Sequence, residues 1–199
     1  MFHYYEYKAL KADQINLKDS SEFDFSKSSQ CGSWIFDRSE SGTNWKFSAN
    51  GKTIERINSN SWQGVYLNGS LPTSGKIAFC LRATAAPGRS DLDGVLFGIA
   101  VNGINRTLCW EPKEFLVNLF DGKIRGRGAD ATYHGIVGGA SPGDIARLLY
   151  DADANTLTYY RNGNAYSNAI PLNANSLNEK ANLRFYVMLW YAGQYTTLV

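Results

Sequence analysis

Three features of the 199-residue sequence predict an all-β fold of antiparallel strands, a sandwich or a barrel. Aromatic residues make up 14% of the chain and stand beside 19 glycines, a mixture that suits strands joined by tight turns. Asn-Gly or Asp-Gly recurs at Asn50-Gly51, Asn68-Gly69, Asp93-Gly94, Asn102-Gly103, Asp121-Gly122 and Asn162-Gly163. Such pairs accept positive φ cheaply, as type I′ hairpin turns demand. Between them, no stretch keeps a helical period over ten residues with a cap at each end.

The strands follow in order. Residues 52–57 form a short alternating run. In 75–82, Ile77, Phe79 and Leu81 share one face, with Lys76, Ala78 and Cys80 on the other. Residues 95–101 are apolar throughout, which predicts a central strand covered on both faces. After Pro112, a short helical turn is expected over 113–117. Residues 145–150 and 156–161 form a hairpin closed by Asp151 to Asn155. In 183–190, Leu183, Phe185, Val187 and Leu189 alternate with Arg184, Tyr186, Met188 and Trp190. Residues 195–199 make the last strand. Residues 1–44 read as an N-terminal arm with the first strands, and 45–199 as the domain body.

Composition narrows the function. With 44% hydrophobic and 19% charged residues, the chain is too apolar for disorder. A net charge of +2 is too weak to imply nucleic acid or a membrane surface. The opening Met-Phe-His-Tyr-Tyr-Glu lacks the basic, then apolar, pattern of a secretory signal. Cys31, Cys80 and Cys109 are odd in number and contain no CxxC, so three reduced thiols in a cytoplasmic protein are expected.

From Trp62 onward the order of motifs resembles the SPRY domain family. Trp62-Gln-Gly-Val-Tyr66 and Ser74-Gly-Lys-Ile-Ala-Phe79 look like its opening strands, and Gly94 to Val101 like its central strand. The most specific match is Pro142-Gly-Asp-Ile-Ala-Arg-Leu-Leu-Tyr-Asp151 followed by Asn155-Thr-Leu-Thr-Tyr-Tyr-Arg-Asn-Gly163. Leu183 to Val199 looks like the closing pair of strands. Phe79-Cys80 replaces the family's usual Glu-Val, and the Leu-Asp-Pro element of the ubiquitin-ligase relatives is missing from the sequence. The resemblance implies a bent antiparallel β-sandwich, concanavalin-like and of SPRY type, without the extra N-terminal subdomain. It also implies a non-catalytic module that binds a protein or peptide through loops at one end. The expected role is an adaptor or a component of a larger complex, with a structural subunit of a large assembly as an alternative.

Candidate chemistry is sparse. The histidines are His3 and His134, and a Cys109/His134 dyad is the only nucleophilic arrangement to weigh. No cofactor or metal is expected. Asp91/Asp93 and Asp151/Asp153 could hold calcium in a lectin-like, carbohydrate-binding alternative. Otherwise they are turn residues. Aromatics make better interface anchors, and hot spots favour Trp, Tyr and Arg. The expected ligand-face residues are Trp190, Tyr191, Trp110 and Tyr133, with Arg125 and Arg127 from an alternating basic run. The loop from Ala85 to Asp93 should form part of the rim.

Overall fold

The computed structural model describes residues 31–39, 42–58, 60–107, 113–126, 139–172 and 182–199. Its strands are β1 (Trp45–Phe47), β2 (Thr53–Arg56), β3 (Gln63–Tyr66), β4 (Lys76–Ala83), β5 (Val95–Val101), β6 (Glu114–Asn118), β7 (Ile124–Gly126), β8 (Ile145–Asp151), β9 (Thr156–Arg161), β10 (Asn164–Ala165), β11 (Ile170–Pro171), β12 (Leu183–Leu189) and β13 (Tyr195–Leu198). One sheet runs β1-β2-β13-β4-β8-β9-β10, with β11 also paired to β9. The other runs β3-β12-β5-β6-β7. All the pairings are antiparallel.

Period-two alternation builds the core between the sheets. Phe79 and Leu81 of β4, Leu148 and Tyr150 of β8, and Leu157 and Tyr159 of β9 face inward. They meet Phe97 and Ile99 of β5, and Phe185 and Val187 of β12. Rings interlock there, Phe79 lying 4.3 Å from Phe185 and 5.6 Å from Phe97 between centroids. Strand β5 lies between β12 and β6, and its outward Leu96 and Ala100 join a second buried cluster with Tyr66, Leu116, Tyr186 and Met188. That is why its sequence is apolar on both faces.

The 113–117 stretch corrects the expectation of a helical turn. Residues 114–117 belong to strand β6, paired to β5 with Phe115 opposite Ile99. Phe115 and Val117 enter the main core while Leu116 fills the outer cluster. Burial on both faces outweighs a weak local preference after proline. The Asn-Gly signals divide as well. Asn162 (φ 50°) and Gly163 (φ 85°) close the β9–β10 hairpin as expected. Asp93-Gly94 instead ends a long connection that carries the chain from one sheet to the other.

The strap formed by residues 31–39 lies on the body. Its Phe36 is buried and bridges Leu67. The Trp34 indole N–H donates to Ala78 O at 2.9 Å, and the Trp34 ring packs edge-on against Phe185. Arg184, nearly buried, donates to Asp37 Oδ2 at 2.6 Å, to Leu67 O at 2.7 Å and to Asn102 Oδ1 at 3.3 Å. Its guanidinium also lies 4.7 Å from the Tyr66 ring centroid. Burial pushes the Asp37 carboxyl up, but hydrogen bonds from Ser39 and Arg184 outweigh it and hold the group below its ordinary value.

Cysteine pairing is the second correction. Cys31 and Cys80 form a disulfide across 49 residues, with Cα atoms 5.3 Å apart, inside the range a bridge requires. The expectation of three reduced thiols fails because sequence spacing does not reveal that the strap lays Cys31 beside the outward side of β4. Cys109 and the two histidines lie outside the described residues.

Candidate binding face

The β-connections gather the candidate site at one end of the sandwich. Strands β2, β4, β6 and β12 finish there, while β3, β5, β7, β8 and β13 begin there. The connecting residues 57–58, 60–62, 84–94, 119–123, 139–144 and 190–194 therefore share that end.

Trp190 and Tyr191 sit at its centre. The Trp190 amide donates to Gly94 O at 2.9 Å, its carbonyl accepts from the Ser61 amide at 3.0 Å, and its ring meets Trp62 edge-on at 5.2 Å. Trp62 also leans on the outer cluster of the smaller sheet, so a buried layer supports this aromatic pair. Gly94 makes the junction possible. Its φ is +81°, and a Cβ would lie 2.8 Å from Tyr191 and 2.9 Å from Trp190. Only glycine satisfies both constraints.

Charges at this end are largely satisfied among themselves. Arg89 makes a two-pronged contact with Asp91 (2.9 and 3.1 Å), pairs with Asp93 at 3.3 Å, donates to Tyr191 Oη at 3.1 Å and lies 4.8 Å from that ring's centroid. Tyr191 Oη donates to Asp93 Oδ2 at 2.9 Å. That bond, more than burial, pushes the phenol above its usual value. Hydrogen bonding from Arg89 holds the Asp91 carboxyl low. The buried Gln194 amide reaches Asp93 O at 2.9 Å, and Asn60 accepts from the Ala192 amide at 3.1 Å. The three loops thus form one braced platform.

The suspected calcium carboxylates have other work. Asp91 and Asp93 face Arg89. Asp151 meets Lys76 Nζ at 3.0 Å and accepts from two backbone amides, while Asp153 accepts from the Gly75 amide.

Among the expected site residues, Trp190 and Tyr191 come together, and the 85–93 loop lies beside them as their rim. Arg125 lies in β7, turned onto Asp121 of its own hairpin at 3.0 Å. Trp110, Tyr133 and Arg127 lie outside the described residues. Sequence reasoning missed the exposed apolar side chains Ile57, Phe120 and Tyr195, each more than two-fifths exposed. All three lie at this end, and Ile35, the fourth exposed large hydrophobic among the described residues, lies at the other. Tyr195 also borders a groove of about 320 Å³ on the outward side of β4 and β13, lined with Arg82, Thr84 and Thr197. No local pattern marks these side chains, because each is an ordinary turn or strand-end residue in sequence.

The braced loops crown an antiparallel two-sheet sandwich. No family model and no curated protein matches the sequence. Solved structures do match the fold, which is that of SPRY domains. The SPRY domain of human HERC1 aligns with a TM-score of 0.61 at 16% identity, covering 82% of this chain and 96% of that one. The TRIM65 PSpry domain gives 0.62 at 15%, covering 83% and 91%. A human SPRY domain gives 0.60 at 15%, covering 78% and 94%. The SPRY likeness read from the motifs therefore holds as a likeness of fold.

Proposed function

We propose that this chain is a non-catalytic protein-interaction module that grips a partner protein or peptide with the loop end carrying Trp190 and Tyr191. One observation carries the reading. Three of the four exposed large hydrophobic side chains among the described residues gather at the same end as the Trp62–Trp190 pair and the Arg89–Tyr191 platform. Exposed apolar surface concentrated on rigid loop bases is the pattern of an interface. Internal bracing lowers the ordering cost of binding. The SPRY fold supports the same reading, since the family likeness implies recognition through loops at one end. In this account the chain serves as an adaptor or as a component of a larger assembly, and neither nucleic acid nor a membrane is its partner.

The test compares captured proteins. Trp190→Ala and Phe120→Ser should each weaken the interaction by about 2 kcal/mol, roughly thirtyfold in Kd. Ile35→Ser, at the opposite end, should leave it unchanged. A partner held equally well by all three folded variants would move the interface elsewhere.

A further inference from the structure

We propose that Cys31 and Cys80 form a reversible thiol–disulfide pair that fastens or releases residues 31–33 at the start of the strap, with Arg147 steadying Cys80 in the released state. The placement of Arg147 carries the inference. Arg147 stands directly opposite Cys80 in the β4–β8 register. It is 5% exposed, and its Nε–H donates to Cys80 Sγ at 3.1 Å. A cation this close favours a thiolate over a thiol. It also makes Cys80 the better leaving group when the bridge is attacked.

The exchange balances with glutathione as reductant. A glutathione thiolate attacks Cys31 Sγ, the Cys31–Cys80 bond breaks, and Cys80 departs as the thiolate beside Arg147. A second glutathione thiolate attacks the glutathione sulfur now on Cys31, releasing Cys31 as a thiolate and glutathione disulfide. Two electrons pass from two glutathiones to the protein disulfide, and the reverse sequence with glutathione disulfide closes the bridge. Both cysteines are at most 2% exposed, so the first attack follows an outward movement of the strap's end. Gly32 and Ser33, both exposed, provide the place for it.

The strap's other anchors limit what is released. The Trp34 bond to Ala78, the Phe36–Leu67 bridge and the Asp37–Arg184 pair do not depend on the sulfurs. Reduction therefore frees residues 31–33 and leaves 34–39 seated. A reducing compartment holds the device open, and an oxidising one closes it.

The full chain is equilibrated in glutathione buffers of graded ratio, quenched, alkylated and mapped by mass spectrometry. Cys31 and Cys80 should convert together in one two-electron step. Arg147→Gln should shift the midpoint by about fivefold or more towards the disulfide. On the wild-type protein, the backbone amides of Gly32 and Ser33 should exchange hydrogen about tenfold faster in the reduced state, because local opening is easier there. The proposal is overturned if Cys31 and Cys80 are alkylated at every ratio, if a folded Arg147→Gln variant leaves the midpoint unmoved, or if Gly32 and Ser33 exchange equally fast in both states.

Discussion

Replacing Asp37 with alanine removes a carboxylate bound to the Arg184 guanidinium, which is almost withdrawn from water. The side chains of Arg184 and Asp37 are 8% and 20% exposed, and their contact is 2.6 Å. Removing one partner of a fully buried pair costs about 3–5 kcal/mol, chiefly because the other charge stays buried. Two features reduce that figure here. Asp37 keeps some contact with water, and Arg184 still donates to Leu67 O and Asn102 Oδ1. The expected loss is about 2–3 kcal/mol, or about 5–10 °C in Tm for a domain of this size. Urea unfolding of Asp37→Ala, Arg184→Met and the double variant isolates the pair as a coupling energy. A coupling of about 1.5 kcal/mol or more is expected. A value below about 0.5 kcal/mol, typical of exposed ion pairs, would refute the claim that the strap is built into the folded domain.

Two other expectations rest on the same geometry. Gly98 lies mid-strand in β5, where an added Cβ would fall on the carbonyl of Phe115 in neighbouring β6; Gly98→Ala should cost about 3 kcal/mol, and a wild-type melting temperature would show that the strands are not so close. Acid should unfold the protein through Asp37, Asp144 and Asp151. Burial raises each, but hydrogen bonds and neighbouring cations outweigh it and leave all three low. Depressed carboxylates contribute stability in full above their unfolded value of about 4 and lose it as pH falls through the folded values. The urea midpoint should therefore hold from about pH 7 to 5 and drop below about 4, whereas a flat profile down to pH 3 would contradict it.

What the sequence determined by itself was the set of strands that bury a face. The alternation in Leu183 to Leu189, the continuous apolar run Val95 to Val101 and the Asn162-Gly163 turn were all legible, because period-two patterning and positive-φ turns are local physics. The SPRY likeness was legible for the same reason, since its most specific motif is a strand, a turn and a strand in one stretch. Trp190 and Tyr191 could be singled out because a large aromatic pair at a strand end is visible without coordinates. Strand β6 was misread because its five residues satisfy two buried faces, which only its neighbours reveal. Tertiary structure alone decided the rest. It brought Cys31 to Cys80 over 49 residues, seated Asp37 on Arg184, and collected Ile57, Phe120 and Tyr195 at the end where Arg89 braces Tyr191. These are meetings between segments far apart in the chain. Their energies come from burial and close contact, which no run of adjacent residues encodes.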